Sequence, residues 1–472
     1  MNNENTKQDN KEMLGTAPVG KLLLKLAIPT IAAQLINMLY NLVDRVYIGH
    51  IPEIGALALT GLGVCMPILL IVSAFAALVG AGGAPRASIF MGKGDHEKAE
   101  KTVGNCFTML LIIAAILTTI LLVFGEDLLL VFGASENTIP YAKSYIQIYA
   151  IGTVFVQVTL GMNLFITAQG FTRTSMISVL IGAITNIILD PIFIFGFHLG
   201  VRGAALATII SQAISCTWVL SFLFGKKTTL KITRKNMKLD RKIILPAMTL
   251  GTATFIMQAS ESIVSVCFNS SLLKYGGDIA VGAMTILLSI MQFAMLPLQG
   301  LGQGAQPIIS YNYGAGNKER VKKAFKCLLL VSVIFSTSLW AFVMLAPRVF
   351  ASMFSGDPAL LDFTAKVIRI YALCIGIFGV QIACQLTFTA IGEAKSSIIV
   401  AVMRKFILLL PLIYIMPAIM RSNQTIAVYM AEPIADFISV VFTAILFYFQ
   451  FRKAIANMKK PTGAAATATE SN

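Results

Sequence analysis

Apolar blocks of twenty or more residues follow one another along almost the whole of this 472-residue chain, and their length limits what it can build. At 1.5 Å per residue, about twenty residues cross ~30 Å of hydrocarbon as a helix, and in lipid only a helix or a closed barrel satisfies its own backbone. The blocks lie near 22–48, 54–82, 103–124, 138–169, 174–196, 203–224, 243–273, 279–304, 325–346, 360–391, 396–419 and 425–451. Charged residues are 12% of the chain and apolar ones 57%, where a soluble domain carries roughly a quarter charged. The chain therefore reads as an all-α polytopic membrane protein with twelve transmembrane helices. The polar start "MNNENTKQDNKEMLG" lacks an apolar core with a small-residue cleavage site, so no signal peptide is expected.

A net charge of +15 invites a nucleic-acid reading, and its placement argues against one. Most of the 37 Lys and Arg fall before the first block, in 84–102, 226–242, 318–326 and 392–405, and after 451, with Arg173 in the remaining even-numbered loop. This alternation is the positive-inside pattern and puts both termini in the cytoplasm of a multi-pass plasma (inner) membrane protein. A nucleic-acid face would gather charge on one domain among aromatics. The seven cysteines form no C-x-x-C pair and mostly sit in apolar blocks, which indicates neither a disulfide framework nor a metal site. His50, His96 and His198 scatter at expected helix ends and read as interfacial polar residues.

The chain also repeats itself. "GAGGAPRASIFMGKGDHEKAEK", 80–101, returns as "GQGAQPIISYNYGAGNKERVKK", 302–323, and "TAQGFTRTS", 167–175, as "TAIGEAKSS", 389–397, both at an offset of 222. Pro29 and Asp44 fall on Pro246 and Glu261 at an offset of 217. An even number of spans separates equivalent positions, so two six-helix halves share one orientation. The expected organisation is a cytoplasmic tail 1–21, an amino-terminal lobe 22–224, a basic linker 225–242, a carboxyl-terminal lobe 243–451 and a tail 452–472. Parallel halves of this kind are a transporter plan in which substrate sits between lobes that rock. "GAGGAP" is not a nucleotide loop, since no strand precedes it and no G-K-[ST] follows. Its glycines suit close helix contact, with Pro85 and Pro307 expected to end their apolar segments and the basic stretch to run along the membrane surface.

Ionisable groups inside the bilayer are costly and mark ion paths by default. The first half offers Asp44 with Tyr40 one turn earlier, Asn186 with Asp190, and Thr208. The second half offers Glu261, Glu432 and Asp436, and around Pro411 it has no equivalent of the Asn186/Asp190 pair. Residues four apart share a helix face, so Asn186 and Asp190 can aim three oxygens at one point, with Asp44 and Thr208 in reach from neighbouring helices. Oxygen-only ligation suits a proton or a hard cation such as Na+ and argues against zinc or copper. The bland alternative is that Asp190 caps a break made by Pro191, or hydrogen-bonds a neighbouring helix.

Together, "LAIPTIAAQLINMLYNLVDRVYIGH", the paired "GAGGAP" and "GQGAQP" segments, "ITNIILDPIFIFGFHLGVRGAALATIISQ" and "YNYGAGNKERVKKA" resemble the multidrug and toxic compound extrusion (MATE) family, over roughly 20–450. The resemblance implies a two-lobed exporter of cationic and amphipathic drugs, driven by inward H+ or Na+, with no enzymatic activity and no cofactor. It implies a cation-coupling site at Asp44, Asn186, Asp190 and Thr208, a helix bend at Pro29, and a seventh-helix carboxylate at Glu261. Tyr40, Glu261, Glu432 and Asp436 are the candidate drug pathway. The stretch "GVQIACQLTFTAIG" of the tenth block, 379–392, has no acid, which departs from relatives with a Na+ site in the second lobe. The expected partners are small drugs and the bilayer, with the chain acting as a monomer and no nucleic acid.

The nearest rival is a flippase for a lipid-linked oligosaccharide, which would need a basic cavity for pyrophosphate. Arg45 and the pair Arg404 and Lys405 are the candidate cations, and the pair is placed toward a cytoplasmic end. No H-E-x-x-H or G-x-S-x-G motif supports a membrane enzyme, and no ring of charge supports a channel.

Overall fold

Among the residues described by the computed structural model, 13–352 and 358–458, ten helices are long and apolar enough to cross a membrane and one bent pair adds an eleventh. The outer parts of both tails, 1–12 and 459–472, lie outside the described residues. The first six spans are Val19–Gly49, Gly55–Gly92, His96–Val131, Ile139–Ala168, Thr172–Pro191 with a π-helical turn Ile192–Gly196, and Val201–Phe224. The seventh and eighth form one run of 74 residues, Arg241–Gly314. Straight, it would measure ~110 Å, far more than a bilayer. It folds back at Gly277, whose φ of 65° is a conformation that glycine reaches without a Cβ clash. Counting that run as two crossings gives the expected twelve.

The ninth span is Lys318–Leu345, and the tenth is Pro358–Tyr371 plus Ile375–Ala390, bent by 50°. The eleventh runs Ala394–Val402, through a π-helical turn Met403–Leu409, to Leu410–Ile419, and the twelfth is Gln424–Ala456.

The apolar blocks are correct in order, but several helices outrun them. Pro85 and Pro307 do not end their spans; both lie inside helices that continue to Gly92 and Gly314. A proline removes one backbone donor, and these segments are held in register by packing against the opposite half. The basic stretches after them are therefore a tight turn and the first turns of the next helix, capped by Asp95 onto the Lys98 amide and by Asn317 onto the Arg320 amide. Lys98 also ion-pairs with Asp95 and holds its carboxyl below the usual range. Asp190 caps nothing, because the helix passes through Pro191 into the π-helical turn.

The duplication extends to single hydrogen bonds. Asn163 donates to the Ser175 carbonyl and Gln385 to that of Ser397, while Thr167 donates to the Ser175 hydroxyl at 3.0 Å and Thr389 meets the Ser397 hydroxyl at 3.3 Å. Each pair is offset by 222 residues.

One core gathers residues of 48–247, a second those of 264–435. A third joins the start of the first span, Leu22 to Ala27, to Leu301, Ala305 and Ile308. The halves meet at the end of the bundle that holds this segment and the basic linker. There a β-carbon on Gly92 would overlap the Tyr311 carbonyl oxygen, and one on Gly314 would overlap that of Ile89. Residues 89 and 311, like 92 and 314, are repeat equivalents, so the second and eighth spans cross about a local two-fold axis. Gly82 against Ala247, Gly251 against Leu78 and Gly304 against Ala27 extend the seam.

Gly314→Ala should lower the detergent-solubilised melting temperature by an overpacking cost of about 1–3 kcal/mol. Gly63→Ala, with nothing within 4 Å of its new carbon, should leave it unchanged or raised. Scanning fluorimetry of the two variants reads the difference.

Candidate functional site

In the first half the fifth span buries Asn186 and Asp190, 1% and 0% exposed, on one helical face. Asn186 donates its side-chain amide to Asp190 at 3.3 Å. From the first span Asp44, also buried, brings its carboxyl within hydrogen-bonding reach of that of Asp190. Three oxygens here have no hydrogen-bond partner although they are buried: Asp44 Oδ1, Asn186 Oδ1 and Asp190 Oδ2. An unsatisfied buried oxygen is expensive, and three in one cluster are donors of the kind that a proton or a hard cation takes.

Thr208, on the sixth span, reaches the cluster through a neighbour, since its hydroxyl engages Tyr145 of the fourth span, and Tyr145 lies beside Asp44. Tyr40 lies beside Asp44 on its own helix. Tyr145 and Tyr149, both buried, were not singled out in sequence. Their signal is a phenol inside an apolar span, which normally needs a polar partner.

The second half is built differently. Arg404 and Lys405 lie in the π-helical turn of the eleventh span, 8% and 3% exposed, so they are not at a helix end as expected. Successive residues point in directions about a quarter-turn apart, so the two cations serve different neighbours. Arg404 donates to Asp436 at 2.8 Å and to Glu432 at 3.0 Å, both on the twelfth span, and lies 4.6 Å from the ring centre of Phe378. Lys405 donates to Glu261 on the seventh span at 2.7 Å. Glu432 and Asp436 are thus engaged inside their own half, while the Glu261 side chain is half exposed. A carboxylate within a membrane-crossing helix normally faces a partner or water and not lipid, and Glu261 has Lys405 as its partner.

Pro29 is buried, between Ala27 and Ile31, which meet Gly304 and Gly300 of the other half. The next residue, Thr30, donates its hydroxyl to the Gly300 carbonyl of the other half at 2.6 Å, and Gln34 donates to Gln303 at 3.2 Å. Phe75 and Phe255 meet across the halves with ring centres 4.9 Å apart. These pairs tie the two halves together.

Residues 29–192 and 253–415 match the MatE family model, one segment in each half. The multidrug export protein MepA of Staphylococcus haemolyticus is 27% identical over 425 residues, 89% of this chain and 92% of that protein. MepA of Staphylococcus aureus strain NCTC 8325 is 25% identical over 407 residues, 85% and 88% of the two chains. Among solved structures, the outward-facing conformation of a multidrug resistance MATE family transporter of the MOP superfamily superposes with a TM-score of 0.85 at 22% identity, over 94% of this chain and 98% of that one.

Arg404→Met should cost about 3–5 kcal/mol of stability, because it strands two buried carboxylates. Adding Glu432→Gln and Asp436→Asn to it should restore most of the loss. Thermal unfolding of the single and triple variants measures both.

Proposed function

The chain belongs to the MATE family of multidrug efflux transporters, and from that premise we propose that it exports cationic or amphipathic organic compounds in exchange for inward H+ or Na+. What carries the ion-coupling part is the Asp44, Asn186 and Asp190 cluster, with its three unsatisfied buried oxygens. The protein works as a monomer in the plasma membrane, with the basic end of the bundle in the cytoplasm and the cleft between the halves opening outward.

With the cleft outward, a proton or Na+ enters the first-half cluster and bridges the oxygens of Asp44 and Asp190. That ligation draws the outer part of the first span toward the fifth. Pro29, beside the Thr30 bond to Gly300, is the point at which the first span yields, because its ring removes one helical hydrogen bond. Drug affinity falls and the compound leaves. Inward opening separates the glycine seam, the ion departs to the cytoplasm, and a lipophilic cation enters along Tyr40 and Glu261. Coupling requires only that ion and drug favour different states. Thr208 supports the cluster through Tyr145.

A lipid-linked oligosaccharide flippase would need free buried cations for pyrophosphate. Arg404 and Lys405 are both committed to carboxylates, which favours the efflux reading.

Ethidium efflux from proteoliposomes under separately imposed pH and Na+ gradients tests the proposal. The native chain should respond to one of the gradients. Asp190→Asn and Asp44→Asn should each reduce gradient-driven efflux at least about tenfold while the proteins remain folded. Undiminished efflux by Asp190→Asn sinks the coupling assignment, and movement of lipid-linked sugar alone sinks the efflux reading.

A further inference from the structure

The second-half charge cluster contains more acid than base. Glu261, Glu432 and Asp436 face Arg404 and Lys405, so with every group ionised one negative charge is left over. The surplus lies with Arg404, whose single guanidinium charge is shared between Asp436 and Glu432. Lys405 is held by Glu261 alone among these acids, in a pair with uneven surroundings: the lysine side chain is 3% exposed and the glutamate 51%. The ammonium therefore approaches Glu261 from within the protein while the carboxylate looks into the cleft. Glu432 is near enough to feel the Lys405 charge. A lysine ammonium is a point charge on a flexible four-carbon stem, so it can change partners at little geometric cost, unlike the forked and stacked Arg404.

We propose that Lys405 is a tethered counter-cation that occupies Glu261 in the empty transporter, and that an organic monocation binds the second half by taking Glu261 while Lys405 shifts toward Glu432. The inference rests on the efflux reading and adds the specificity element of its drug site. With every group ionised, the incoming cation brings the one positive charge that the cluster lacks, so the loaded cluster is neutral. An uncharged amphiphile cannot displace the lysine and gains nothing there. Lys405 also supplies the return force: swinging back onto Glu261, it helps to expel the bound cation. The first half has no such device, since Asp44 and Asp190 have no buried lysine or arginine bonded to them among the described residues.

The test is calorimetric titration of the solubilised full chain with tetraphenylphosphonium. Lys405→Gln frees Glu261 and should bind the probe about fivefold tighter or more, while slowing its turnover in proteoliposomes. Lys405→Arg retains the charge and pairs at least as firmly, so its affinity should equal or fall below that of the native chain. The double variant Glu261→Gln/Lys405→Gln should lose the gain, which separates release of Glu261 from a general rise in negative charge. Equal or weaker binding by folded Lys405→Gln overturns the inference, as does a gain that survives in the double variant, and both leave the efflux reading intact. Should Lys405→Gln fail to fold, tighter binding by Lys405→Arg overturns it. No binding by the native chain or any variant defeats the efflux reading and this inference together.

Discussion

At the basic end of the bundle the Tyr311 carbonyl occupies the space that a side chain on Gly92 would fill, and the Ile89 carbonyl does the same for Gly314. In lipid there is little hydrophobic drive between helices, so association depends on how closely backbones approach. Gly82, Gly251 and Gly304 extend the approach along one seam, and the remaining geometry follows from it. The Phe75 and Phe255 rings and the Gln34 to Gln303 bond also join the two halves. Where glycine meets backbone, the seam has few side chains interdigitated.

On this two-fold scaffold the halves treat charge in opposite ways. The first half collects two carboxylates and an amide and leaves three of their oxygens unsatisfied. The second half places two cations in a π-helical turn and commits each of them to acids. Turns of this wide kind recur at functional sites, and here one lets two adjacent cations be buried against different helices. On the function proposed above, a duplicated frame supports one half suited to a small ion and another suited to a larger organic cation, with no change in backbone plan.

Much of the architecture was legible in the chain. Twelve apolar blocks gave the order of the spans, because bilayer thickness dictates their length. The offset of 222 residues reappears in hydrogen bonds of Ser175 and Ser397. Asn186 and Asp190 could be placed on one face from their spacing alone. The endpoints were less legible. Pro85 and Pro307 read as stops, yet tertiary packing keeps their helices intact for two further turns.

The sequence by itself determined the membrane class, the duplication and the asymmetry of charge between the halves, since each is a property of residue order and composition. Only the tertiary structure decided which acids remain open. Glu261, Glu432 and Asp436 are alike as intramembrane carboxylates. Their partners stand 144, 28 and 32 residues away along the chain, on a different helix. Pairing across such separations depends on how helices rotate and pack, and on a π-helical turn that shifts the register of Arg404 and Lys405. No local spacing encodes that rotation.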